Sequence, residues 1–97
     1  MIRILIAEDD PTINQLVFQS LTEQGFSCTQ AFSGTEAKLL FDTQPFDLLV
    51  LDLMLPGMTG EALTEDIRTR SQIPILILSA KSALEDKVGL LRGGADD

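Results

Sequence analysis

The sequence predicts an α/β fold, a doubly wound parallel sheet with helices on its faces, and three observations carry that reading. The first is a set of continuous apolar runs: "IRILIA" (2–7), "DLLVLDL" (47–53) and "IPILILSA" (73–80). They lack polar alternation, as parallel strands covered on both faces do. The second is that stripes of helical period fall between them. The third is punctuation at the joints, where capping residues, proline and glycine mark helix starts and stops.

Each element follows in order. The first strand (2–7) runs into "AEDD", where Asp10 is placed as an N-cap and Pro11 at the first helical position. Ile13, Leu16, Val17 and Leu21 form the apolar stripe of the first helix, which Gly25 stops. "SCTQAF" (27–32) is a more polar strand, suited to a position near the sheet edge. "SGTE" (33–36) fits a capping box opening a second helix that carries Ala37, Leu40 and Phe41. The third strand (47–53) is stopped by Pro56 and Gly57, after which Met58, Ala62, Leu63 and Ile67 mark a third helix. The fourth strand (73–80) leads to "SALE" (82–85), a second capping box, and to a helix bearing Leu84, Val88 and Leu91 before Gly93-Gly94. The order βαβαβαβα gives a parallel sheet with right-handed crossovers.

Composition narrows the function. The 97 residues form one small domain, 1–97, without repeats or linkers. Its apolar runs are too short to span a bilayer, and the acidic N-terminus does not fit a secretory signal. Cys28 is the only cysteine, which reads as a small strand residue in a reducing cytoplasm. With no histidine, Ser-His and Cys-His catalysis and imidazole zinc sites are excluded. A net charge of −8 disfavours direct nucleic-acid binding and favours metal cations and basic protein surfaces as partners.

One residue breaks the apolar pattern. Asp52 interrupts the run "LLVLDLMLPGMTG" (48–60), and a carboxylate there is costly unless paired, metal-bound or at the wet end of the strand. Pro56-Gly57 puts it close to where the chain leaves the sheet, the edge at which open α/β sheets bind ligands. If the first and third strands are neighbours, Glu8, Asp9 and Asp52 converge on one crevice. Crowded carboxylates repel, and hard oxygen ligands without other donors suit Mg²⁺. An aspartate would remain free to attack phosphorus, and Ser79, at the fourth strand's end, could hydrogen-bond a phosphoryl oxygen. Asp10 reads as a cap rather than a ligand. Glu8-Asp9 alone could equally be solvated loop charges.

The pattern "ILIAEDDP…DLLVLDLMLPGMTG…IPILILSA…GGADD" resembles the receiver domain of two-component response regulators along the whole chain, and most of all the subfamily attached to winged-helix transcription factors (OmpR/PhoB-like). The resemblance implies that Asp52 accepts a phosphoryl group from a sensor histidine kinase. It implies that Glu8 and Asp9 hold Mg²⁺ with Asp52 and the Met54 backbone carbonyl. Ser79 takes the hydroxyl position that follows the phosphoryl group, and Ala80 the small residue beside it. The protein would be a stoichiometric phosphoacceptor and not a turnover enzyme, switching its own DNA-binding output domain in the cytoplasm. The family's strand order is 2-1-3-4-5, and its fifth strand carries a lysine and an aromatic switch residue. Neither that strand nor the fifth helix is found within residues 1–97, and Lys81 does not match the lysine. An incomplete receiver with an open edge at strand four is therefore expected to self-associate.

Three other readings stand beside it. A phosphorylation-independent interaction or dimerisation module would keep the fold without the chemistry. An aspartyl phosphatase would want a second acid where Met54 stands. A flavin-binding fold would want a phosphate loop where "AEDDP" stands.

Overall fold

The computed structural model describes residues 1–78. Within them lie seven elements: β1 (Arg3–Ala7), α1 (Pro11–Glu23), β2 (Ser27–Ala31), α2 (Gly34–Thr43), β3 (Leu48–Leu51), α3 (Gly60–Arg68) and β4 (Ile75–Ile77). The expectations for Ser79, Ala80 and Lys81, the "SALE" box, the fourth helix and Gly93-Gly94 lie outside the described residues.

The four strands form one parallel sheet in the order β2-β1-β3-β4. The polar β2 is at an edge, as its composition predicts, and β1 and β3 are central. Alternate residues point to opposite faces and build two cores. Leu5, Ala7, Leu49, Leu51, Ile75 and Ile77 pack with Ala37 of α2 and with Leu63 and Ile67 of α3. On the other face, Ile4, Ile6 and Val50 pack with Val17, Phe18 and Leu21 of α1. Every strand is shorter than its apolar run. Pairing stops where the backbone turns into loops, so Asp52 and Leu53 fall outside β3 although the hydrophobicity continues.

The caps work largely as the sequence predicts. Asp10 accepts from the amides of Thr12 and Ile13, and Pro11 opens α1. Ser33 Oγ accepts from the Glu36 amide at 3.0 Å, while the Glu36 carboxylate reaches back to the Phe32 amide at 2.8 Å, one residue before the cap. α3 begins at Gly60 behind the Thr59 cap, so Met58 belongs to the preceding loop.

The α1 stripe needs correction. The face turned to the sheet is Asn14, Val17, Phe18 and Leu21, at i, i+3, i+4 and i+7, with Asn14 fully buried. Leu16 lies off that face and is 64 % exposed. It borders a shallow apolar groove lined by Leu16, Val17, Leu21, Val50, Leu76 and Leu78, where β4 extends past the cover that α1 provides. No helix of the described residues is long and apolar enough to cross a membrane.

Candidate metal centre

Parallel pairing of β1 with β3 sets Ala7 beside Leu51, so the residues that follow, Glu8 and Asp52, emerge side by side at the carboxyl edge. The Asp52 amide donates to the Ala7 carbonyl at 2.9 Å, extending the ladder by one bond. Glu8, Asp9 and Asp52 each offer a carboxylate oxygen, and the three oxygens lie within 4.8 Å of one another. The convergence expected from the sequence is therefore present.

The three acids differ in setting. Glu8 is 3 % exposed; its amide donates to the Ala31 carbonyl at 3.1 Å, and its Oε2 accepts from the Asp10 amide at 2.9 Å. Asp9 is exposed and Asp52 half-buried. Asp52 Oδ1 accepts from the Met54 amide at 3.4 Å, a long bond that holds the carboxylate only weakly to the loop. Met54 thus lies beside Asp52, on an exposed stretch of loop.

Two packed joints hold that loop. Gly60 opens α3 directly against it: a Cβ there would stand 2.5 Å from the Asp52 carbonyl oxygen and 2.8 Å from the Leu53 Cα. Only glycine lets the helix come this close. On the other side, the Gly34 amide at the start of α2 donates to the Pro56 carbonyl at 3.0 Å.

The electrostatics follow from crowding. Glu8 is pushed from 4.5 up to about 7, first by burial, then by the charge of Asp52 and by hydrogen bonds with the Asp9 and Asp52 carboxyls; the Asp10 amide pulls the other way. Among the described residues, no lysine or arginine forms an ion pair with any of the three. A cluster of hard oxygen donors with no nitrogen or sulfur, already holding back one ionisation for lack of a counter-charge, fits Mg²⁺.

Of the other residues singled out from the sequence, Asp10 caps α1, and Ser79 is outside the described residues. Asn14, Gln30 and Gly60 were not anticipated. The signal for Asn14 was available: it heads an i, i+3, i+4, i+7 row whose other members are apolar. Gly60 carried no such signal, because its role depends on a contact with another segment.

A family profile described as "Response regulator receiver domain" matches residues 4–97. The chain is 42% identical over 93 residues to the uncharacterized transcriptional regulatory protein YcbL of Bacillus subtilis, covering 96% of this chain and 41% of that protein. It is also 42% identical over 96 residues to the transcriptional regulatory protein QseB of Escherichia coli O157:H7, covering 98% of this chain and 44% of the relative. It therefore spans about two-fifths of the length of these relatives. Among solved structures, the receiver domain of the Francisella response regulator 1452 superposes with a TM-score of 0.92 at 36% identity, over 100% of this chain and 81% of that one. A two-component response regulator from Clostridium difficile gives 0.94 at 27% identity, over 100% and 80%.

Proposed function

The chain belongs to the response regulator receiver domain family, and on that premise we propose that Asp52 is its phosphoacceptor. The donor is the phosphohistidine of a sensor histidine kinase. An Asp52 carboxylate oxygen attacks phosphorus, the P–N bond breaks as the P–O bond forms, and the departing imidazole takes up a proton. The supporting observation is the clustering of Glu8, Asp9 and Asp52 oxygens within 4.8 Å at the carboxyl edge of the sheet.

Glu8, Asp9, Asp52 and the Met54 carbonyl are the groups that would hold Mg²⁺. When bound, the ion supplies positive charge against that building up on the phosphoryl oxygens. The protein's own part is positional. The Ala7–Asp52 hydrogen bond and the Gly60 contact fix the Asp52 backbone, and the bond from Met54 ties its carboxylate only weakly to the loop. Glu8 is the buried member of the group, and a bound cation would favour the ionised form that burial opposes. Ser79, beyond the described residues, is proposed to hydrogen-bond a phosphoryl oxygen and to carry the switch. In the whole protein the output is proposed to be transcription control, because the relatives at this level of identity are transcriptional regulatory proteins.

Incubation of the full chain with acetyl phosphate and Mg²⁺, followed by mapping of the acyl phosphate, tests the assignment. Label should sit on Asp52 and disappear in Asp52→Asn. Label on Asp9, or label that survives the substitution, overturns it. No label under conditions where the parent binds Mg²⁺ favours the phosphorylation-independent module.

A further inference from the structure

We propose that Asn14 is a positioning residue for the acidic site, acting on it through the backbone of Glu8. Asn14 is fully buried, in the first turns of α1 and beneath the loop that carries the acid pair. Its Nδ2 donates to two backbone carbonyls, that of Glu8 at 2.9 Å and that of Ala31 at 3.0 Å. Its Oδ1 accepts from Gln30 Nε2 at 2.8 Å. Both amide protons and the oxygen are thus committed, so the amide has one orientation.

The arrangement closes a ring. The Glu8 amide donates to the same Ala31 carbonyl that Asn14 binds, and the Glu8 carbonyl accepts from Asn14. Glu8 is held at both of its backbone polar groups, and its carbonyl belongs to the peptide plane that leads into Asp9. The direction in which Asp9 projects is set by that plane. Asp9 is itself exposed, so burial does not fix it. Asn14 also ties the ends of β1 and β2 to the start of α1. Gln30 anchors the amide from β2 and makes a second, longer bond to Gln15 Oε1 at 3.3 Å.

A buried asparagine that merely cross-links the fold would stabilise the protein without affecting the site. A positioning residue does more, because groups behind a metal's ligands typically alter affinity by about 10–100-fold. For its metal readout the inference rests on the Mg²⁺ reading above, so the experiment has an arm that does not.

Asn14→Leu keeps the size of the side chain and removes all three hydrogen bonds. Thr64→Val is the control. Thr64 is also buried, with its hydroxyl donating to the Gly60 carbonyl at 2.9 Å within α3. Mg²⁺ affinity is measured by calorimetric titration, and amide exchange of Glu8 and Asp10 is followed by NMR in EDTA. Asn14→Leu should lose about tenfold or more in Mg²⁺ affinity, and the two amides should exchange faster relative to the β3 amides. Thr64→Val should do neither. Parental Mg²⁺ affinity in a folded Asn14→Leu overturns the proposal. If the parent takes up no Mg²⁺, the Mg²⁺ reading fails by itself and the exchange ratio decides, an unchanged ratio overturning the inference. If Asn14→Leu does not fold, Gln30→Leu, which frees the amide to turn, replaces it. A loss of roughly threefold or more supports the proposal, and anything less overturns it.

Discussion

Among the described residues carboxylates gather at two places, and the two gatherings are built differently. At the carboxyl edge of the sheet, Glu8, Asp9 and Asp52 meet with no basic partner among the described residues. Between α2 and the end of α3, Asp42 and Asp66 alternate with Lys38 and Arg70. Lys38 reaches both acids, at 3.1 and 3.2 Å; Arg70 reaches Asp66 at 2.8 Å and also bonds Asp42. The acids respond in opposite directions. Burial and its neighbours push Glu8 up, while Arg70 and then Lys38 hold Asp66 below the usual carboxylate range. Acids matched by bases are explained by the fold. Acids gathered without bases call for a cation from outside, and that contrast is why the edge cluster is the one proposed to function.

The largest effect that can break the contrast is that of Mg²⁺ itself. At about 100 times its dissociation constant a ligand adds roughly 2.7 kcal/mol to stability, a rise of roughly 10 °C or more in melting temperature for a domain of this size. Asp9→Asn should remove most of that gain, and Asp66→Asn should leave it intact. Thermal melts of parent and variants with and without millimolar Mg²⁺ check this. Equal gains in the two variants would mean that the edge cluster is not where the ion binds.

Next in size is pH. Between about 4.5 and 7 the folded chain keeps a proton on Glu8 that the unfolded chain has released. Metal-free stability should therefore fall as pH rises through that window and level off above it. Urea unfolding in EDTA at pH 5 and pH 8 measures the slope, and Glu8→Gln should flatten it. Mg²⁺ affinity should move the other way, rising up to pH 7 as Glu8 ionises. The α2–α3 cluster should contribute no slope in this range. Asp66, with its lowered value, loses its contribution only as pH falls below the ordinary aspartate range, and Lys38, held higher chiefly by Asp42, only as pH rises past 10.5.

These two predictions draw on residues that the sequence exposed to different degrees. Asp52 was legible because a single acid in an apolar run is costly, and Glu8-Asp9 because they end another such run. Alternation of elements and the handedness of crossovers gave a parallel sheet, whereas the strand order came only with the resemblance to the receiver family, because several orders satisfy the same handedness. Asn14 was missed because two stripes overlap on α1, one through Leu16 and one through Phe18. Choosing between them requires knowing which way the helix faces the sheet. Gly60 and the joining of α2 to α3 were not legible. Lys38–Asp42 and Asp66–Arg70 are local i, i+4 pairs, but the bonds between the helices, Lys38–Asp66 and Asp42–Arg70, each span 28 residues, and local patterning carries no trace of them or of the close approach of Gly60 to Asp52.

The smallest effects belong to the matched cluster. Arg70 bonds both acids, and its guanidinium lies over the Phe41 ring at 5.3 Å. Arg70→Ala should cost about 0.5–1 kcal/mol, the upper part of the range for exposed pairs, and part of that should survive salt because the ring contact is not ionic. Lys38→Met should cost less. Its bond to Asp42 is a base-first i, i+4 pair on α2, the weaker orientation, and both partners are well exposed. Nearly all of its effect should vanish in about 1 M NaCl, where the screening length shrinks to about 3 Å. Urea unfolding of both variants at low and high salt makes the comparison. A Lys38→Met loss that equals that of Arg70→Ala and persists in salt would show that the ammonium is held in a dry, geometrically fixed site, and the α2–α3 cluster would then be more than a solvated clasp.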